Sequence, residues 1–549
     1  MYENIKKDEI LAGQNAFLDG KGSRPGLIIA GAKGARVWDN EGREYIDCTS
    51  GAFVTNVGSC HPKVIGAVRE QISRLTHTAY DYDNIPMLHL TKKLSHLAPG
   101  DLNKINFCLE GSVAVEGAMK LAIKNNPDRR CFVCLDHAYH GRTFATMPLT
   151  WAVPGDALSS YYMSNIVKVP EAYCYRCAFG LNYPSCSLRC ASFLEETIEN
   201  RVNGGVVAVL MEPVQGNGGQ ISFPKEYCSR IREICSRHGV LLIWDEIQTA
   251  FGRLGTMFAA ELYGVIPDIL VFGKALGGGF PIAGIMARDV LRGFGTAEHL
   301  FTFAHFPPSM AAALATLEVI EEEGLLSKCK QLSSLIMDRL TKIQMEYELV
   351  GDVRGVGLAI GIELVKNRET KEPAAEESQK IAQLALEKGV ILGISKFAGM
   401  GNVIKFKPPL VTTRDEINKA LNVLEASHAD KSGRFIGEEE LQQVSEVIKS
   451  GSLSFLYGEK VKQLQGEFSS LYNVQTAVAT SSGTAALHTA LVFLNPEGIR
   501  YIPRLVKERI LKYILSTAME NIRAKEALLV FNFRRCAMKR TDKLRRERE

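Results

Sequence analysis

Short apolar runs that alternate with helical patterns occupy residues 61 to about 310 and constrain the fold. The runs are Asn106–Cys108, Cys131–Leu135, Val206–Leu210, Leu241–Ile243 and Ile269–Phe272. Runs this short and this uniformly apolar are typical of strands that are covered by helices on both faces of a sheet. Because helical patterns separate them, the sequence predicts a large α/β domain built around a mainly parallel sheet.

A single lysine follows the last of these runs. Ile269–Phe272 is followed by Gly273 and Lys274, and three glycines at 277–279 keep the next turn open. A lysine buried without a partner is costly, so it is usually neutralised, paired or used covalently. A lysine that forms a Schiff base must first lose its proton. The alternative is a lysine at a strand end whose ammonium group reaches solvent.

Two other segments place polar groups at the ends of predicted strands. Asp245 ends the run that begins at Val240, and Gly111 and Ser112 begin a helical pattern after another strand. A carboxylate at such a sheet edge can hold the protonated ring nitrogen of pyridoxal 5'-phosphate (PLP). A helix N-terminus binds phosphate through its free N–H groups and its dipole. Together with Lys274, these groups indicate a PLP site.

Residues of about 26–428 resemble the class III PLP-dependent aminotransferases. The resemblance is carried by the segments 138–143, 212–216, 245–253, 302–303 and 408–410, together with Lys274. It implies PLP fold type I, an α/β architecture. A large cofactor domain (about 61–310) would contain a mainly parallel seven-stranded sheet, and residues 1–60 and 311–429 would form a small α+β domain.

The resemblance implies a role for each group at the reacting centre. Lys274 would form the Schiff base and move a proton during catalysis. Asp245 would pair with the ring nitrogen, Gln248 would bond the phenolic oxygen, and Tyr139 would stack on the ring. The reaction implied is transfer of an amino group from a primary amine or amino acid to a keto acid.

Further implied contacts involve the cofactor phosphate and a second subunit. Gly111 and Ser112 would hold the phosphate, and His140 belongs to the same set of cofactor contacts. Thr302 would reach the phosphate in the neighbouring subunit, so the resemblance implies a homodimer.

Substrate recognition departs from the family pattern. Members that bind an α-carboxylate have an arginine before the Pro-Pro-Leu turn, where this chain has Lys405. An ammonium group cannot make the bidentate contact of a guanidinium. Asn217 replaces the glutamate that masks that arginine in some members, and Arg142 and Glu212 remain as substrate contacts. These changes favour substrates that lack an α-carboxylate, such as amino sugars or ω-amines.

The same lysine and aspartate serve other chemistries. An amino-acid racemase, an epimerase or a decarboxylating aminotransferase would use the same groups, and a non-catalytic scaffold with this fold is a further alternative. Intact Lys274, Asp245, Gln248 and Tyr139 argue against the scaffold.

Four of the thirteen cysteines are clustered. They are Cys174, Cys177, Cys186 and Cys190, in a C-x2-C and a C-x3-C pair. This spacing suits a structural Zn²⁺ held by four thiolates, and the alternative is four free thiols in a surface loop.

The chain changes character near Asp430. Residues of about 434–498 resemble the N-terminal part of a nucleotide-sugar (DegT-type) aminotransferase, and Ser482-Gly483-Thr484 is similar to the start of its phosphate-binding helix. Residues 430–498 are therefore predicted to be a truncated fragment, and residues 499–549 a basic tail for which disorder is the expectation. Between 500 and 549 there are fifteen Lys or Arg and six acidic residues. A gene-fusion or frame-shift remnant is the favoured interpretation, since charge alone is weak evidence for nucleic-acid binding.

Composition supports an enzyme in solution. Hydrophobic residues make up 46% of the chain and charged residues 23%. The first residues are polar, and no apolar run approaches the roughly 20 residues of a spanning helix. We therefore expect a cytoplasmic protein without a membrane partner.

Overall fold

The computed structural model describes residues 27–151, 156–395 and 401–427, together with the backbone of two short strands at 476–478 and 528–530. The chain divides into two compact units, Met1–Phe435 and Ile436–Glu549. The phosphate-loop-like segment at 482–484 lies outside the described residues.

The first unit contains three main sheets and one small hairpin. Its strands are β1 (Ile29–Lys33), β2 (Arg36–Asp39), β3 (Glu44–Asp47), β4 (Lys104–Cys108), β5 (Cys131–Leu135), β6 (Ile166–Val169), β7 (Val206–Met211), β8 (Val214–Gln215), β9 (Ile221–Ser222), β10 (Leu241–Asp245), β11 (Ile269–Phe272), β12 (Ala283–Ala287), β13 (Val350–Val356), β14 (Ala359–Asn367), β15 (Glu372–Pro373), β16 (Val390–Ile391), β17 (Gly393–Ser395) and β18 (Val403–Phe406).

Ten α-helices of five or more residues are described in this unit. They are α1 (Pro62–Arg74), α2 (Ile85–Leu97), α3 (Gly111–Asn125), α4 (Arg189–Asn200), α5 (Lys225–Arg237), α6 (Ala259–Tyr263), α7 (Pro307–Glu322), α8 (Leu325–Glu346), α9 (Ala375–Glu387) and α10 (Arg414–Ala426). Side chains cap the starts of three of them, α1, α2 and α10. Asn84 accepts from the N–H of Met87 at 3.0 Å, and Thr413 and Glu416 form a capping box at α10.

The central sheet has seven strands in the order β4-β12-β11-β10-β7-β5-β6. All neighbouring pairs from β11 to β6 are parallel, whereas β12 runs antiparallel to both β11 and β4. All the residues of β7, β11 and β12 are buried. The predicted α/β architecture with a mainly parallel seven-stranded sheet is confirmed. Because its parallel strands share one direction, their carboxyl ends meet at one edge.

Two antiparallel-rich sheets are built from the ends of the unit. One has the order β1-β2-β3-β16, in which β3 pairs in parallel with β16. The other has the order β13-β14-β18-β17, with β15 beside β14. The second unit contains, among its described residues, the strands β19 (Thr476–Val478) and β20 (Leu528–Val530), which pair in parallel. In the described part of the chain, no helix combines the length and the apolar character needed to cross a membrane.

Candidate active site

The carboxyl ends of the central strands surround a cavity of about 360 Å³. Six of the residues predicted to bind the cofactor lie along its wall with Lys274: Gly111, Ser112, Tyr139, His140, Asp245 and Gln248. Glu212, which was predicted to contact substrate, lines the same cavity. These residues come from strand ends and from the start of α3, so the fold converges them on one volume.

Lys274 opens a short 3-10 turn at Lys274–Gly277, directly after β11. Its φ of 43° lies in the left-handed region, which a lysine seldom adopts. Burial lowers the pKa of its amine to about 8, against the opposing effects of Asp245 and Glu212. A lysine with this pKa is neutral in a sizeable fraction of molecules near neutral pH, as a nucleophile or a base requires.

Asp245 is the last residue of β10 and is 4% exposed. Its Oδ2 accepts a hydrogen bond from Nδ1 of His140 at 2.8 Å, and its Oδ1 accepts from the N–H of Ile247 at 3.1 Å. The His140 ring is buried as well, and its main-chain N–H donates to Oγ1 of Thr150 at 3.0 Å. His140 therefore orients the carboxylate in addition to lining the cavity.

Glu212 connects two parts of the cavity wall. Its Oε1 accepts from the N–H of Tyr139 at 2.9 Å, and its Oε2 accepts from the N–H of Gly216 at 3.0 Å. Burial, reinforced by the nearby Asp245 carboxylate, raises the pKa of Glu212 to about 8. The sequence placed Glu212 among the substrate contacts. Both of its oxygens also hold main-chain groups in place, a role that the sequence did not reveal.

The start of α3 provides the anion-binding end of the cavity. The Ser112 hydroxyl donates to Oε1 of Glu110 at 3.1 Å and accepts from the N–H of Arg142 at 3.2 Å. Gly141 passes close by with a φ of 132°, and a Cβ there would lie 2.7 Å from the Ser112 hydroxyl oxygen. The first N–H groups of a helix have no partner within the helix, so this end of the cavity suits a phosphate group.

Two polar atoms in the cavity wall are buried without a hydrogen-bond partner among the described residues. They are Oε1 of Gln248 and Nε2 of His140. A Cβ at Gly216 would lie 1.8 Å from Oε1 of Gln248, so the glycine makes room for this amide. A buried polar group without a partner is costly, and a polar ring atom of a ligand would satisfy it. The donor set therefore fits PLP, with Lys274 at its aldehyde carbon, Asp245 at its ring nitrogen and Ser112 at its phosphate.

Four residues predicted to contact the cofactor or the substrate lie outside the wall of this cavity: Arg142, Asn217, Thr302 and Lys405. The Arg142 guanidinium is exposed and stacks 5.2 Å from the centre of the Tyr139 ring. The main-chain oxygen of Asn217 accepts from the Ser395 hydroxyl at 2.5 Å. Thr302 is exposed. The structure therefore gives Arg142 and Asn217 no direct contact with the cavity.

Lys405 lies on β18. A second lysine, Lys407, directly follows the strand and was missed by the sequence analysis. Burial lowers the pKa of Lys405 to about 8, with a further lowering by Lys274 and an opposing effect of Glu212. Lys407, two residues on, is 5% exposed, and burial together with three nearby cations holds its pKa well below the usual range. Its ammonium lies 3.9 Å from the centre of the Phe53 ring.

The four clustered cysteines do not form a metal-ligand set. Among the described residues, Glu195, Glu199 and His238 are the group of three or more whose ligand atoms come together, and no cysteine belongs to it. One arm of the cysteine loop is fixed elsewhere, because Arg176 donates from Nε to Glu363 on β14. The other arm is fixed by Cys190 inside α4. The structure therefore gives the predicted zinc site no support.

The fold and the cavity together define a PLP-binding enzyme of fold type I. The model of the class III aminotransferase family matches residues 19–427, and the chain belongs to this family. The model of the DegT/DnrJ/EryC1/StrS aminotransferase family matches residues 434–499. Both predicted resemblances are confirmed.

Similar proteins include enzymes with different names. A leucine/methionine racemase from Thermococcus litoralis is 39% identical over 76% of this chain and 94% of its own. A 5-aminovalerate aminotransferase from Pseudomonas aeruginosa is 37% identical over 75% of this chain and 95% of its own. The solved structure of a Bacillus anthracis aminotransferase is 30% identical, with a TM-score of 0.71 over 77% of this chain and 99% of its own. An amine transaminase from an uncultivated Pseudomonas species, in its PLP-bound form, is 29% identical, with a TM-score of 0.70 over 75% of this chain and 98% of its own.

Proposed function

We propose that this protein transfers an amino group between a primary amine or amino acid and a keto acid, with PLP as its cofactor. The observation that carries the proposal is the convergence of Lys274, Asp245 and the N-terminus of α3 on one cavity. When bound, PLP supplies an electron sink for the negative charge that develops on the substrate carbon.

The protein's contribution is to hold the cofactor and to move one proton. Asp245, oriented by His140 and the N–H of Ile247, would hold the protonated ring nitrogen. Gln248, whose amide lies in the cavity wall, would donate from Nε2 to the ring oxygen. Nζ of Lys274 would hold the aldehyde carbon of the cofactor until an incoming primary amine displaces it. The freed amine, whose pKa burial lowers to about 8, would then move a proton between the substrate carbon and the aldehyde carbon.

The cofactor and the lysine are tested together. Purified protein incubated with PLP is expected to show the visible absorption of lysine-bound cofactor and to consume an amino donor when a keto acid is present. Lys274→Ala should lose both, whereas Lys366→Ala, which alters a surface lysine paired with Glu372, should lose neither. A wild-type protein that stays colourless after incubation would overturn the proposal.

Racemisation is the second candidate, because the relative that is 39% identical is named a leucine/methionine racemase. The chain also has Lys405 and Asn217 where the glutamate-gated members of the family have arginine and glutamate. Single-enantiomer leucine and methionine decide between the two reactions. Inversion without any keto acid would establish a racemase, whereas a product that forms only when a keto acid is added supports transamination.

The oligomeric state, the location and the division into domains are part of the same proposal. Thr302 would contribute to the site of a second copy, so that the working unit is a homodimer in the cytoplasm. Residues 61–310 would form the cofactor domain, and the ends of the first 429 residues the small domain, which agrees with the pairing of β3 with β16. Sedimentation of the purified protein at several concentrations tests the dimer.

A further inference from the structure

A buried carboxylate on β14 binds three side chains from separate parts of the chain. Glu363 is 0% exposed, and its Oε1 accepts a hydrogen bond from Nε of Arg176. Its Oε2 accepts from the Tyr173 hydroxyl and from Nη1 of Arg354, the latter at 2.7 Å. Nη1 of Arg354 also donates to Oδ2 of Asp352 at 2.7 Å. Two guanidinium groups and two carboxylates balance one another, so the charges of this buried cluster are paired.

Arg354 connects this cluster to the turn at 216–220, which joins β8 to β9. Its Nε donates to the main-chain oxygen of Gly219 at 2.9 Å. At the other end of the turn, the N–H of Gly216 donates at 3.0 Å to Oε2 of Glu212, which lines the cavity. Arg354 and the cavity wall therefore hold opposite ends of one short turn.

The turn is too closely packed to shift at one end alone. A Cβ at Gly361 would lie 2.4 Å from the main-chain oxygen of Gly219, so β14 already touches the turn. A Cβ at Gly216 would lie 1.8 Å from Oε1 of Gln248, so the turn in its own right touches the cavity wall. Close-packed segments transmit displacements to one another. A displacement of Gly219 is therefore expected to change the contacts that Gly216 makes with the cavity wall.

The segment that carries Arg176 is the start of the loop with the four clustered cysteines. It is docked beside β13 and β14, since Nζ of Lys371 donates to the main-chain oxygen of Tyr175 at 2.5 Å. A Cβ at Gly351 of β13 would lie 2.4 Å from the Tyr175 hydroxyl oxygen. This docking brings Arg176 to Glu363, so the cysteine loop supplies the second cation of the buried cluster.

We propose that Arg354 is a positioning residue that fixes the turn at 216–220 against the cavity. Arg176 of the cysteine loop holds Arg354 in place through their shared partner, Glu363. The inference rests on the proposed function, because it assigns these residues to the geometry of the cofactor site. Neither arginine lines the cavity, so each acts through the turn. The role of the cysteine loop is then to support the cofactor site.

Amide hydrogen exchange of the full-length protein, followed by mass spectrometry with and without PLP, tests how firmly the turn is held. Arg354→Lys keeps the charge, but one ammonium group cannot replace the two guanidinium nitrogens that bond Gly219 and Glu363. Peptides that cover 213–222 should then exchange about tenfold faster relative to peptides from β7, since a charge-assisted hydrogen bond is lost. Arg176→Met should act in the same direction.

The control is Arg189→Met, because Arg189 belongs to the same cysteine loop but pairs with Glu196 at the surface. It should leave the exchange of the turn as in the wild type. Tyr173→Phe is the second, milder variant, because it removes only the hydroxyl that bonds Glu363 and keeps both guanidinium groups. It should accelerate exchange of the turn less than Arg354→Lys does.

The cofactor site is monitored in the same variants by visible absorbance. Arg354→Lys should shift the absorption maximum of the PLP-loaded protein and weaken PLP binding about threefold or more, because the Gln248 side chain loses its fixed neighbour. An unchanged exchange ratio in both Arg354→Lys and Tyr173→Phe would overturn the positioning role. Faster exchange of the turn with unaltered absorption and PLP affinity would overturn its link to the cavity. The expected exchange in a protein without transaminase activity would overturn the proposed function and leave the anchoring of the turn in place.

Discussion

Lys274, Lys405 and Glu212 each have a pKa of about 8, because burial shifts two amines downward and one carboxyl upward. Withdrawal from water disfavours the charged form of either type of group. The total charge around the cavity therefore changes most steeply just above neutral pH. The sequence located these three residues, but the shifts depend on burial by segments far away in the chain.

The reactivity of Lys274 provides a pH test. An amine reacts only after losing its proton, and burial lowers the pKa of this one to about 8. In protein without added PLP, acylation of Lys274 followed by mass spectrometry should reach half its maximal rate near pH 8. Exposed lysines in the same sample should do so nearer ~10.4. A matching profile for Lys274 and the exposed lysines would contradict the assigned burial effect.

The pair formed by Asp245 and His140 provides a second test at this scale. His140→Ala removes a 2.8 Å hydrogen bond from a buried carboxylate. A hydrogen bond to a charged group contributes about 1.5–3 kcal/mol, so the free energy of unfolding should fall by about that amount. PLP affinity should fall as well, because the carboxylate loses its orientation.

His140→Asn is the matched control, since it retains a donor close to the same place. It should recover part of both losses in urea denaturation and in PLP titration. Equal losses in the two variants would mean that His140 acts through packing and not through its hydrogen bond.

At the scale of elements, the shape of the cavity at the start of α3 depends on how closely the segment around Gly141 approaches this helix. Gly141 has a φ of 132°, which an alanine rarely adopts, and a Cβ would lie 2.6 Å from Oγ1 of Thr146 and 2.7 Å from Oγ of Ser112. Any side chain at this position would therefore displace the hydroxyl groups that shape the anion-binding end of the cavity.

Gly141→Ala is thus expected to weaken PLP binding at least tenfold, as measured by titration of visible absorbance. The control is Gly180→Ala, because Gly180 also has a positive φ, of 65°, but no atom lies near its hypothetical Cβ. Gly180→Ala should cost some stability and leave PLP binding unaffected. Wild-type affinity in Gly141→Ala would show that the approach of the two segments is unimportant.

At the scale of the whole molecule, the first unit contains every residue to which we assign chemistry. The second unit, Ile436–Glu549, is described only at two paired strands. A fragment of a larger sheet cannot cover both faces of its strands, so it contributes little stability of its own. We therefore predict that residues 430–549 are dispensable for catalysis.

A shortened chain that ends at Asp430 should keep the dimer, the PLP absorption and full activity, and should give more soluble protein on expression. Sedimentation, visible absorbance and the rate of amino transfer measure these properties against the full chain. Loss of activity or of dimerisation in the shortened chain would show that the C-terminal residues form a working domain.

The sequence by itself determined the parts of this protein that depend on local pattern. Cys131–Leu135 and Ile269–Phe272 were predicted with the bounds that the structure gives, because a buried strand needs only a short apolar run. The polar residues at the ends of two predicted strands likewise identified Lys274 and Asp245 as residues of the site. Local pattern does not reveal contacts such as that of Gly357, which turns between β13 and β14 with a φ of 57° against the main chain of Arg253.

Only the tertiary structure decided which distant groups meet. In the sequence Lys407 belongs to a turn before two prolines, yet it packs on Phe53, the last residue of a left-handed stretch at 50–53. The cysteine spacing suits zinc, but among the described residues no cysteine belongs to the group of side chains whose metal-ligand atoms come together. Periodicity and spacing report the conformation of neighbours in the chain, whereas burial, charge balance and ligand geometry depend on segments that packing brings together.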